Sequence, residues 1–82
     1  MPGKSDENEV VQNLLRELRV AAGLRQMDVA RKLKAPQSFV SKYEAGERRL
    51  DLIEVRALCQ LFGISLRDFI DRLEKQLGER KR

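Results

Sequence analysis

The stretch QMDVARKLKAPQSFVSKYEAG, residues 26–46, decides the fold. From Gln26 to Leu33 the apolar positions Val29, Ala30 and Leu33 recur at spacings of three and four, which is the signature of one buried face of a helix. Pro36 ends that run, because a proline biases the residue before it, Ala35, out of the helical region. A second periodic run follows from Gln37 to Ala45, with Val40 and Tyr43 on its inner face and Gly46 closing it. Two helices of about two turns each, separated by a tight turn, pack closely only where a contact position is small. Ala30 supplies that position. A Ser41/Glu44 pair with the spacing of a capping box lies inside the second helix and is not a helix start.

Outward from this core, the same period extends in both directions. Val11, Leu14, Leu15 and Leu18 predict a first helix from Glu9 that stops at Gly23 in the position of a C-terminal cap. Glu47-Arg48-Arg49 reads as a basic loop. Asp51 caps a fourth helix whose inner face is Leu52 or Ile53, then Val55, Leu58, Cys59 and Phe62, ended by Gly63. Ser65, followed three residues later by Asp68, opens a fifth, in which Leu66, Phe69, Ile70, Leu73 and Leu77 carry the apolar stripe to Gly78. No alternation of period two supports a strand, and no internal repeat is visible. The expected fold is all-α with five helices, arranged as a flexible tail over 1–8, a folded domain over 9–77 and a basic tail over 78–82.

Composition narrows the function. A chain of 82 residues holds one domain with one modest core, since at this length folding buries only roughly 60% of the unfolded surface. The share of charged residues, 37%, and the lack of any long apolar run argue against a membrane span. Residues 1–10 show no apolar block behind a basic patch, so no export signal is expected and the cytoplasm is the default location. Cys59 is the one cysteine and histidine is absent, which excludes an intrachain disulfide, a zinc site and histidine catalysis. The acids are scattered among basic partners at helical spacing and no glycine-rich phosphate loop occurs, so no enzyme, metal, cofactor or small-molecule ligand is expected.

The charge is unevenly placed. Of the net +4, an excess of four positive charges falls between residues 25 and 49, where Arg25, Arg31, Lys32, Lys34, Lys42, Arg48 and Arg49 face only Asp28, Glu44 and Glu47. A clustered basic surface attracts a polyanion and releases its counterions on contact, which points to nucleic acid. A short helix held out from a rigid support also suits the roughly 12 Å wide major groove of DNA.

From Leu14 to Phe69 the chain resembles the Cro and lambda-repressor type of helix-turn-helix domain, the XRE family. The resemblance rests on an ordered set: Leu18-Arg19, Gly23-Leu24, Gln26, Val29-Ala30, Leu33, Gln37-Ser38, Val40-Ser41-Lys42, and Glu44-x-Gly46-x-Arg48. It implies a lambda-repressor-like domain whose helix-turn-helix is formed by helices 2 and 3. It further implies double-stranded DNA as partner, with Gln37, Ser38, Ser41 and Lys42 against base edges and Arg25, Gln26, Arg48 and Arg49 against the sugar-phosphate backbone. Arg19 and Glu44 resemble the family's partly buried ion pair. Three positions depart from the family pattern. Lys34 stands where the turn often has glycine, so either it accepts a left-handed backbone or the turn is rearranged. Arg25 and Pro36 stand where serine or threonine often caps helices 2 and 3.

The stripe of helix 5 is longer than a small core requires, which predicts a homodimer interface at Phe69, Ile70, Leu73 and Leu77. The expected function is a transcription regulator, in the first place a repressor, acting as a homodimer on a palindromic operator. The alternatives are an antitoxin or adaptor that uses the fold for protein contacts, and a non-specific nucleic-acid coat.

Overall fold

The computed structural model describes residues 2–80, and the side chains from residue 7 to residue 79. Met1 of the expected tail and Lys81 and Arg82 of the expected basic tail lie outside the described residues. The described chain forms five helices: α1 (Pro2–Ala21), α2 (Gln26–Leu33), α3 (Gln37–Glu44), α4 (Leu52–Phe62) and α5 (Leu66–Arg80). No strand occurs among the described residues.

Helix ends follow local chemistry. α1 stops because Gly23 adopts a left-handed backbone (φ 75°), which lets Leu24 donate its N–H to the carbonyl of Arg19 at 3.1 Å and Gly23 to that of Val20 at 2.9 Å. α2 ends in the same way without glycine. Lys34 takes the left-handed conformation (φ 57°, ψ 43°) while Ala35 donates to the carbonyl of Ala30 at 2.9 Å. The turn is therefore not rearranged; Lys34 accepts the conformation at a cost of roughly 1 kcal/mol. α4 begins with a reciprocal capping box, in which Asp51 Oδ1 accepts from the Glu54 amide at 2.7 Å and Glu54 Oε1 from the Asp51 amide at 2.9 Å. α5 begins where Ser65 Oγ accepts the Asp68 amide at 3.0 Å.

Two boundaries differ from the sequence expectation. α1 starts at Pro2 rather than Glu9, so the segment expected as a tail is helical in its described part. Its residues Lys4 to Glu9 carry no apolar stripe for a periodicity reading to detect, and Pro2 suits the first helical position, where no amide partner is needed. α5 runs through Gly78 to Arg80. Gly78 has no positive φ and is an interior residue of the helix rather than its stop.

α1 packs against α3, α4 and α5, while α2 lies mainly on α3 and α4 on α5. The core between them is Leu14, Leu15 and Leu18 of α1, Val29 and Ala30 of α2, Val40 and Tyr43 of α3, Val55, Leu58 and Cys59 of α4, and Phe69 of α5. Neither Leu52 nor Ile53 joins it: Ile53 is 71% exposed, and Leu52 is exposed as well. Both sit in the first turn of α4, and the face set by Val55, Leu58 and Cys59 turns Ile53 to the opposite side. Burial pushes the Cys59 thiol up, which keeps it a protonated core group. Among the described residues no helix is long and apolar enough to cross a membrane.

Candidate nucleic-acid interface

α3 is held by its inner face. Val40 and Tyr43 are buried, and Phe39 meets the Tyr43 ring edge-on with centroids 5.5 Å apart. The opposite face carries the four residues expected to read bases: Gln37, Ser38 and Lys42 are exposed, and Ser41 is half-buried with its hydroxyl donating to the Ser38 carbonyl at 3.2 Å. The structure thus brings these four together on one short helix. Pro36 precedes it in an extended conformation with no side-chain acceptor for the first amides.

The end of α3 is fixed by charge. Glu44 is the one buried charged residue among those described, its side chain 1% exposed. Arg19 of α1 grips it with two bonds, Nε to Oε2 at 2.7 Å and Nη2 to Oε1 at 3.2 Å, and donates a third from Nη1 to the Leu24 carbonyl at 2.8 Å. Gln26 of α2 donates to Oε1 at 3.0 Å, and Arg16 donates to the Glu44 backbone carbonyl at 3.1 Å. Burial alone would push the Glu44 carboxyl up; the hydrogen bonds from Arg19 and Gln26 and the charges of Arg19 and Arg16 overcome it and hold the group below its usual range. One carboxylate therefore ties α1, α2 and α3 together. Gln26, expected at phosphate, is also a member of this network.

The residues expected at phosphate differ in how much of their charge is available. Arg25 is exposed at the N-terminus of α2 and pairs with Asp28 at 3.1 Å. That hydrogen bond, aided by the Arg25 amide, lowers the Asp28 carboxyl to about 2. Arg49 is exposed, as are Arg31, Lys32 and Lys34, and none of these makes an ion pair among the described residues. Arg48 is committed elsewhere: its guanidinium binds Glu54 twice, at 3.1 and 2.9 Å, donates to the Arg49 carbonyl at 3.0 Å and lies 4.6 Å from the Phe39 ring centroid. The sequence assigned no role to Phe39, Glu54, Arg31 or Lys32, and to Lys34 it gave only a place in the turn. As cations, Arg31, Lys32 and Lys34 were signalled only by the charge count of residues 25–49.

The expected dimer residues separate in the same way. Phe69 is 1% exposed within a single chain, so it belongs to the monomer core and is corrected from interface to core. Its ring fills the space that α5 closes against α1 and α4, which a stripe read from sequence cannot distinguish from a second-subunit contact. Ile70 is 37% exposed, with Leu73 and Leu77 half-buried beside it. Ile70 and Leu73 line an open groove with Val11, Leu50 and Leu52.

A family model described as a helix-turn-helix domain matches residues 13–73. Among solved structures, an XRE-family like protein from Pseudomonas syringae pv. tomato str. DC3000 is similar to this chain, at 41% identity over 87% of each chain and with a TM-score of 0.81. No curated protein matches the sequence. With the family model covering most of the chain, and a partly buried Arg19–Glu44 pair bracing α3 beneath an exposed polar face, the protein belongs to the XRE-type helix-turn-helix domains, a family of DNA-binding regulators.

Proposed function

We propose that this chain is a sequence-specific regulator of transcription, a repressor that works in the cytoplasm as a homodimer on a palindromic operator. The observation that carries the reading is the outward row Gln37, Ser38, Ser41 and Lys42 on a helix whose other face is locked into the core. Gln37 matches the adenine edge and Lys42 the O6 and N7 of guanine, a good bidentate pair being worth about 1–3 kcal/mol of discrimination. The hydroxyl of Ser41, already donating to Ser38, is left as an acceptor. Arg25 and Arg49 flank this helix as phosphate contacts. Gln26 retains one amide hydrogen beyond the one given to Glu44, and the uncapped N-terminus of α3 adds backbone amides for a phosphate oxygen. The dimer uses Ile70, Leu73 and Leu77 of the 9–77 domain, and two copies would set recognition helices about 34 Å apart.

Selection of bound sequences from a random pool of duplex DNA at moderate ionic strength tests the proposal. A palindromic consensus is expected. Lys42→Ala should then lose affinity chiefly for sites that keep the preferred base at one position, whereas a pool with no preferred sequence would overturn the reading.

A further inference from the structure

Arg48 has the sequence position of a phosphate ligand and the environment of a brace. Its Nη1 uses both hydrogens, on the Arg49 carbonyl (3.0 Å) and Glu54 Oε1 (3.1 Å), and its Nη2 uses one on Glu54 Oε2 (2.9 Å). Of five donors, only the Nε hydrogen and one Nη2 hydrogen remain. Its charge is matched by a carboxylate that is itself pinned, since Glu54 Oε1 also accepts the Asp51 amide at 2.9 Å in the capping box of α4. The guanidinium carbon lies over the Phe39 ring, 4.6 Å from its centroid, and Phe39 meets buried Tyr43 edge-on. A continuous set of contacts therefore runs from the base-reading helix α3, through the loop 45–51, to the first turn of α4.

We infer that Arg48 is a positioning residue, which clamps the loop 45–51 between Phe39 of α3 and Glu54 of α4 and so aims Arg49 at the DNA backbone. The inference rests on the DNA-binding reading above. Arginine suits the task because its planar fork matches a carboxylate with two parallel bonds while its face stacks on an aromatic ring; lysine offers the same charge without either geometry. Arg48 donates to the carbonyl of its neighbour, so the backbone of Arg49 is fixed by the same guanidinium. Arg48 is exposed too but paired with Glu54, so Arg49 is left as the loop cation that makes no ion pair among the described residues.

The test uses Arg48→Lys, Phe39→Leu, the double variant and Arg49→Ala, each confirmed folded by circular dichroism at the assay temperature. Affinity for the DNA sequence selected by the wild type is measured by fluorescence anisotropy between 50 and 200 mM salt, and amide hydrogen exchange is followed in the loop. Arg48→Lys keeps the charge, so a phosphate ligand would survive it; a clamp would not. Each single variant of the clamp should bind about three- to tenfold more weakly. The double variant should bind no worse than the weaker single, with loop amides exchanging faster in all three and the salt slope unchanged. Arg49→Ala should instead reduce the slope of log affinity against log salt by about 0.9. Arg48→Lys binding like wild type, or losses that multiply in the double variant, would overturn the clamp. A wild type with no preferred sequence would instead overturn the DNA-binding reading, and loop exchange in Arg48→Lys would still decide the clamp.

Discussion

Arg19→Ala should destabilise the protein far more than any other arginine substitution on α1. The side chain removed makes two bonds to a carboxylate that is 1% exposed and a third to the Leu24 carbonyl. Removing one partner of a buried pair costs about 3–5 kcal/mol, because the surviving charge is stranded. Glu44 would keep Gln26 at 3.0 Å and the half-exposed Arg16 at 3.5 Å, which places the loss at the lower end, about 3 kcal/mol. For a domain of this size that corresponds to a fall in Tm of roughly 12–24 °C. The control is Arg16→Ala. Its side chain is 49% exposed, so water already screens it and its loss should cost no more than about 1 kcal/mol. Thermal unfolding followed by circular dichroism separates the two, and an apolar exchange of both Arg19 and Glu44 should recover much of the stability lost in Arg19→Ala. An Arg19→Ala protein that melts within about 3 °C of the wild type would refute the reasoning. DNA binding by that variant should return on cooling to a temperature at which it is folded, since Arg19 acts through the fold.

The pH dependence of stability should follow Glu44. Its folded carboxyl is held below the usual range, so the unfolded chain takes up the proton first as pH falls. The stabilisation is complete above the unfolded carboxylate value and is lost as pH drops through the folded one, so the Tm gap between wild type and Glu44→Gln should narrow from pH 7 to pH 3. Lys34→Gly removes the strain of a left-handed backbone at φ 57°, partly offset by the extra freedom of glycine in the unfolded chain, and should raise stability by at most about 0.5 kcal/mol, measurable as a slightly higher Tm. Ile70→Glu should yield a monomer in sedimentation with weakened operator binding and little change in Tm, because the residue is already 37% exposed; an unchanged dimer would remove Ile70 from the interface. Phe69→Ala should instead lose about 3–5 kcal/mol of stability, the cost of a cavity in the core.

What could be read from the chain alone was local or periodic. The span of α2 from Gln26 to Leu33, the cap at Asp51 and the closing role of Gly23 each depend on a few neighbouring residues, and the apolar spacing of α3 and α4 already implied Val40, Tyr43, Val55 and Leu58 as core. The pairing of Arg19 with Glu44, twenty-five positions apart, was not legible in this way and was implied only by the resemblance to the XRE family. Tertiary structure decided everything that depended on which surface another element covers. Periodicity put Phe69 and Ile70 on one stripe; only the packing of α5 on α1 and α4 buried the first and left the second open. A count of positive charges could not separate Arg48 from Arg49, since a charge is neutralised by whatever stands beside it in space. Glu54 and Phe39, six and nine residues away along the chain, make that difference. Periodicity reports which face of a helix is apolar, whereas burial and pairing are properties of the neighbours that the folded chain brings there.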